Sequence, residues 1–165
     1  MDTGKRSEVL SARQLLRMLD EGFGRTAWHG TNLRGAVRGL TPEQANWRPA
    51  AGRHNIWEIA LHAAYSKYAV RRRITGEKRG SFACSGSNWF VRPGTEGLGA
   101  WKQDVALLER EHWLLWEAVA KLPPKRMKEM SARKKWTLAE MVMGVAFHDV
   151  YHAGQIQLIK RLQKR

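Results

Sequence analysis

The chain has 165 residues, of which 29 are Lys or Arg, 15 are Asp or Glu and one is Cys, for a net charge of +14. That length suits a single domain, 1–165, able to bury about two-thirds of its unfolded surface, and the 43% apolar share excludes a disordered tail. The lone Cys84 excludes an internal disulfide and a cysteine-based zinc knuckle, and no apolar run approaches the ~20 residues that cross a bilayer.

In chain order, Val9, Ala12, Leu16 and Leu19 repeat at helical spacing and predict a first helix from about Ser7 to Asp20, weakened at Gly22 and Gly24. The pattern is expected to resume near Trp28 and run through Leu33 and Val37 to a stop at Gly39, with Trp28 packed in the core. Thr41-Pro42-Glu43-Gln44 is a helix start, with Thr41 as N-cap, Pro42 in the first turn and Gln44 closing a capping box. Pro49 and Gly52 keep that helix short. Asn55 and Glu58 predict a second box opening a long helix to about Ile74.

Residues 76–99 are rich in Gly and Ser and hold no period, as a functional loop does. The loop carries Phe82, Trp89 and Phe90, which are expected to fold back onto the domain. A third long helix is predicted from Trp101 to Leu122, where Trp101, Val105, Leu108, His112, Leu115, Val119 and Leu122 form a seam that Pro123-Pro124 ends. Thr137 and Glu140 open a last helix with a seam of Leu138, Met141, Val145, His148, His152, Gln155, Ile159 and Leu162. Four such stripes with no strand alternation predict an all-α four-helix bundle.

The last seam carries the chemistry. His148 and His152 are four residues apart, so they differ by only ~40° around the helix and can reach one ion. Two buried imidazoles need partners, and a divalent metal supplies one for both. A third ligand is expected from a facing helix. His62, set among Ile59, Leu61 and Tyr65, is the first candidate and His112 the second, with His29 and His54 weaker. Three neutral imidazoles leave coordination positions open, and zinc, nickel, iron or manganese all suit them. Asp149, Gln155, Glu58 and helix carbonyls are candidate acceptors for a ligand's second nitrogen, and Gln155, three residues past His152 on the same seam, is expected ahead of Asp149. Trp89, Tyr65 and Tyr151 are the expected pocket walls, His29 is a possible pocket acid/base, and Trp57 is expected in the core.

GRHNIWEIALHAAY (52–65) and HDVYHAGQIQLIKRL (148–162) resemble the DinB/YfiT-like family of metalloenzymes, and AWHGTNL (27–33), LTPEQANWRP (40–49) and the NWF around Trp89 resemble one large subgroup of it. The resemblance implies an up-down-down-up four-helix bundle, often a homodimer, in which His62, His148 and His152 bind a divalent metal ion. It also implies transfer or isomerisation reactions that use a low-molecular-weight thiol (bacillithiol, mycothiol or glutathione) against a small electrophilic substrate, or a hydrolytic reaction.

The basic residues are dispersed, with clusters at 71–73, 125–128, 133–135 and 160–165, and they carry an alternative expectation: a stress-related metalloprotein that contacts nucleic acid electrostatically. No signal-like apolar core opens the chain, and a cytoplasmic location is the expectation.

Overall fold

The structure is a computed structural model that describes residues 10–86, 88–92, 97–131 and 135–164. Seven helices follow one another: α1 (Ala12–Phe23), α2 (Leu33–Val37), α3 (Pro42–Asn46), α4 (Ile56–Thr75), α5 (Leu98–Ala120), α6 (Pro124–Met127) and α7 (Leu138–Leu162). Among the described residues there is no strand, only the isolated bridges Ala27–Gly30 and Met130–Thr137. The fold is all-α. The four long helices close a ring: α1 packs on α5 and α7, and α4 packs on the same two, so α1 and α4 face each other across it. No helix among the described residues is long and apolar enough to cross a membrane.

Local chemistry explains the boundaries. The box at Thr41 forms as expected, and so does the one at Thr137, where Glu140 returns its carboxylate to the Thr137 N–H at 2.7 Å. Asn55 caps α4 by accepting from the Glu58 N–H at 2.8 Å, but the box is left half made because the Glu58 side chain binds Arg48 and His54 instead. The first helix begins at Ala12, with Ser11 and Gln14 as its box, and it runs past Asp20 to Phe23; the expected start at Ser7 lies outside the described residues. Gly22 does not weaken this helix. A Cβ there would lie 2.7 Å from the Ala146 carbonyl oxygen, so glycine is what lets α1 approach α7 so closely.

Trp28 is corrected. It sits fully exposed in the turn between Ala27 and Gly30, and α2 starts only at Leu33 under an Asn32 cap. A short helix, α6, occupies part of the connection after Pro123.

The buried stripe of α7 is also rotated from the expected seam. Leu138, Val142, Val145, Asp149, His152, Ile156 and Ile159 are buried, whereas Met141, His148, Gln155 and Leu162 lie only half-buried along its edge. Asp149 therefore points into the bundle centre, where it meets the ammonium of Lys67; both side chains are fully buried. The pair lies at a level that divides the apolar core in two. One cluster gathers Leu33, Trp57, Leu61, Leu108 and Ile156; the other gathers Leu15, Leu19, Leu115, Val142 and Met127. His112 belongs to the same polar level. It is buried and stacks on Phe23 with ring centroids 3.9 Å apart, and Lys67 lies 5.2 Å from that same Phe23 ring.

The first half of α4 is buried on every side, from Ile56 through Ala64. The bundle covers one face, and the chain after α4 covers the other. Phe82 and Phe90 fold back onto Tyr65 at centroid distances of 5.3 and 5.5 Å, as the aromatic content of that loop leads one to expect. Trp57 is in the core, its Nε1–H donating to Asp104 at 2.7 Å.

Candidate metal centre

α4 and α7 bring three imidazoles to one point. His148 Nε2 lies 3.0 Å from His62 Nε2 and 3.0 Å from His152 Nε2, and one nitrogen from each ring falls within 4.8 Å of the other two. Bonds of about 2.0–2.1 Å to a shared ion allow two nitrogens to lie as much as about 4.2 Å apart, so the two 3.0 Å spacings are within reach of one ion. Among the described residues this is the sole set of three or more His, Cys, Asp or Glu groups so gathered.

The far sides of the rings fix which nitrogens face inward. His62 Nδ1 donates to the Asn88 carbonyl at 2.8 Å, and His152 Nδ1 donates to Gln155 Oε1 at 2.6 Å. Each of those rings then presents an unprotonated Nε2 to the centre. His148 Nδ1 is buried with no hydrogen-bond partner among the described residues. A proton on His148 Nε2 gives three inward nitrogens one hydrogen among them, and a proton on Nδ1 leaves three lone pairs converging. A cation suits the second arrangement, in which all three Nε2 atoms offer lone pairs, so the residues fit a divalent metal held by His62, His148 and His152.

Burial keeps these imidazoles neutral. It pushes His148 down to about 3 and His152 to about 4, and it lowers His62 as well. Neighbouring imidazoles and Lys67 add to the effect on His148.

A family model described as the DinB superfamily matches residues 25–156. The chain belongs to the DinB superfamily. No curated protein matches the chain, and no solved structure does.

In this DinB-superfamily chain, the surroundings of the three imidazoles divide the other candidates. Trp89 lies flat against His62, with centroids 4.0 Å apart and planes 5° from parallel, and its other face stacks on His54 at 3.6 Å. Tyr151 is exposed, its ring edge on His152 and its hydroxyl accepting from Gln155 Nε2 at 3.0 Å. Tyr65 faces the aromatic loop, away from the imidazole cluster's contacts. His29 is exposed and donates from Nε2 to the Glu21 carbonyl at 3.2 Å, outside the cluster. His112, the second candidate for third ligand, is taken up by Phe23 and does not join the group.

Two supports were invisible to periodicity. One is the Asn88 carbonyl. Asn88 has φ 69°, a left-handed conformation that asparagine tolerates better than most residues. The other is the chain Arg48–Glu58–His54. The buried Glu58 carboxylate accepts from Arg48 Nη1 at 3.0 Å and from His54 Nδ1 at 2.8 Å, which orients the ring that backs Trp89. Burial alone would raise the Glu58 carboxyl, but the hydrogen bonds from Arg48 and His54 and the Arg48 charge hold it below its usual range. The broken box at Asn55 is the signal that Glu58 has other partners.

Gln155→Leu removes the acceptor that sets the His152 tautomer. The expected result is a metal affinity lower by about 10–100-fold, read by competition with a chromogenic chelator. Unchanged affinity would show that His152 needs no such partner.

Proposed function

We propose that the chain is a metal-dependent enzyme whose three-histidine centre serves the transfer of a low-molecular-weight thiol to a small electrophile, or a hydrolysis of the same type. The observation that carries this reading is the convergence of three neutral imidazoles, with His148 Nε2 3.0 Å from the Nε2 of each of the other two, on a chain of the DinB superfamily.

A divalent ion in that position supplies Lewis acidity, which lowers the pKa of a thiol or water towards neutrality. The protein's own groups do the rest. His62, His148 and His152 offer lone pairs without releasing protons of their own. The Asn88 carbonyl and Gln155 hold the outer Nδ1–H groups and so keep the inner nitrogens aimed at one point. Trp89 covers one face of His62 and keeps water from it. Three protein ligands leave positions for a reactant, which distinguishes a catalytic centre from a closed structural one.

The test starts with protein purified without a metal-affinity tag. Elemental analysis is expected to find about one divalent ion per chain, as a single three-ligand centre requires. The loaded protein is expected to speed conjugation of a thiol to 1-chloro-2,4-dinitrobenzene, or hydrolysis of a nitrophenyl ester. Both the ion and the rate should vanish in His148→Ala. Loaded protein that turns over neither substrate would sink the enzymatic reading and leave a metal-binding protein.

A further inference from the structure

Beyond His62, α4 continues with residues that the imidazole cluster does not use. Tyr65, Tyr68 and Arg72, with Phe82 and Arg79 from the chain that follows, wall a cleft of about 770 Å³. That volume is in the range of small-molecule sites. His62 and Arg72 are ten positions apart on one helix, or about 15 Å along its axis, so the cleft and the imidazole centre are neighbours without being one site.

The lining has a consistent chemistry. Tyr65, Tyr68 and Phe82 pack their rings within 5.9 Å of one another, centroid to centroid, and the half-buried Tyr65 and Phe82, backed by Tyr68, present flat apolar surface. Tyr68 is buried, and its hydroxyl accepts from the Gly80 N–H at 3.2 Å, which pins the turn bearing Arg79 against α4. No carboxylate lines the cleft among the described residues. Glu77, the nearest acid in sequence, is drawn off by Arg71 Nη1 at 2.6 and 2.7 Å. Arg72 donates to a backbone carbonyl, that of Glu77, at 3.3 Å, and neither Arg72 nor Arg79 forms an ion pair among the described residues. Both guanidiniums border a second pocket that Glu77 and Glu129 line, but neither pairs with those acids, and at the edge of an aromatic-walled cleft they suit an anion.

We propose that this cleft is a binding site for a small molecule with a flat apolar body and a phosphate or carboxylate head, the body against Tyr65, Tyr68 and Phe82 and the head on Arg72 and Arg79. The proposal does not rest on the metal reading, because none of the five residues that would hold the ligand belongs to the imidazole centre; the two regions share Asn88, which lines the cleft and whose carbonyl holds His62.

Cys84 lines the same cleft and is the chain's single cysteine, which makes it a reporter. Burial raises its thiol pKa, so alkylation is best followed at alkaline pH. The probes are phenyl phosphate and benzoate, with phenol and inorganic phosphate as the two halves, on the full chain in EDTA. Phenyl phosphate or benzoate is expected to slow alkylation of Cys84 by iodoacetamide and to bind in calorimetry, and the stronger of the two tells phosphate from carboxylate. Phenol and inorganic phosphate alone should bind at least about tenfold more weakly, and Arg72→Gln with Arg79→Gln should weaken phenyl phosphate by about tenfold or more, since it removes both charged donors to the head. His148→Ala should leave binding unchanged. The proposal is overturned if neither probe binds, if phenol binds as tightly as phenyl phosphate, if the arginine variant binds as well as the parent, or if binding disappears in His148→Ala.

Discussion

Lys67→Met is expected to destabilise the protein by about 3–5 kcal/mol, the cost of leaving one charge of a buried pair without its partner. For a chain of this size that lowers Tm by roughly 10 °C or more. Asp149→Leu should do the same, because it strands the ammonium instead. The reason is geometry. Both side chains are fully buried at the level where the two apolar clusters meet. Burial pulls the Lys67 pKa down and pushes the Asp149 pKa up, each opposed by the other's charge. One Asp149 oxygen has no further partner, so Lys67 is what makes the carboxylate tolerable there. The double replacement Lys67→Met with Asp149→Leu is expected to recover most of the loss, since an apolar pair of similar volume avoids both desolvation terms. Thermal denaturation of the four proteins in a double-mutant cycle decides it. Single variants within about 1 kcal/mol of the parent would mean that the pair carries no such weight.

The second large effect is loss of stability in acid. His112 and His148 are pushed down to about 3 and His152 to about 4. An unfolded histidine takes up its proton near 6.5, whereas these native rings refuse it until far lower pH. The unfolded state therefore binds more protons across the window from about 6.5 down to 3–4, and stability falls as pH falls through it. Above pH 7 the contribution is fully present. At pH 5 each of the three rings accounts for a loss on the order of 1–2 kcal/mol, and metal-free protein is expected to show a Tm lower by about 10 °C or more than at pH 7. His112→Phe, which keeps an aromatic ring against Phe23, should remove that residue's share and flatten the dependence. A Tm that stays level between pH 7 and 5 would show that the native rings accept protons as readily as unfolded ones.

Much of the fold was legible because its signals are local. Thr41 with Gln44 and Thr137 with Glu140 announce their helices within four residues, and Pro123 announces an end. The failures were of longer range. Trp28 follows a helical spacing but lies in a turn, where no partner covers it. The phase of α7 was misplaced because Asp149 reads as a surface residue until Lys67, 82 positions earlier, is known to meet it. Among the candidate ligands, the spacing of His148 and His152 is a one-helix property and could be read directly. The placing of His62 beside them, and of His112 away from them, depends on how α4 and α5 are turned in the ring, which periodicity alone leaves open. Asn88 and Trp89 come from a segment with no period at all, so nothing local marked the carbonyl that holds His62.

The indole of Trp89 lies between two imidazoles, and the carbonyl just before it grips one of them. Lifting that segment would uncover His62 and release its tautomer in a single motion. Entry or loss of an ion at His62 would thus require one short stretch of chain to open, and tryptophan emission is expected to change when it does.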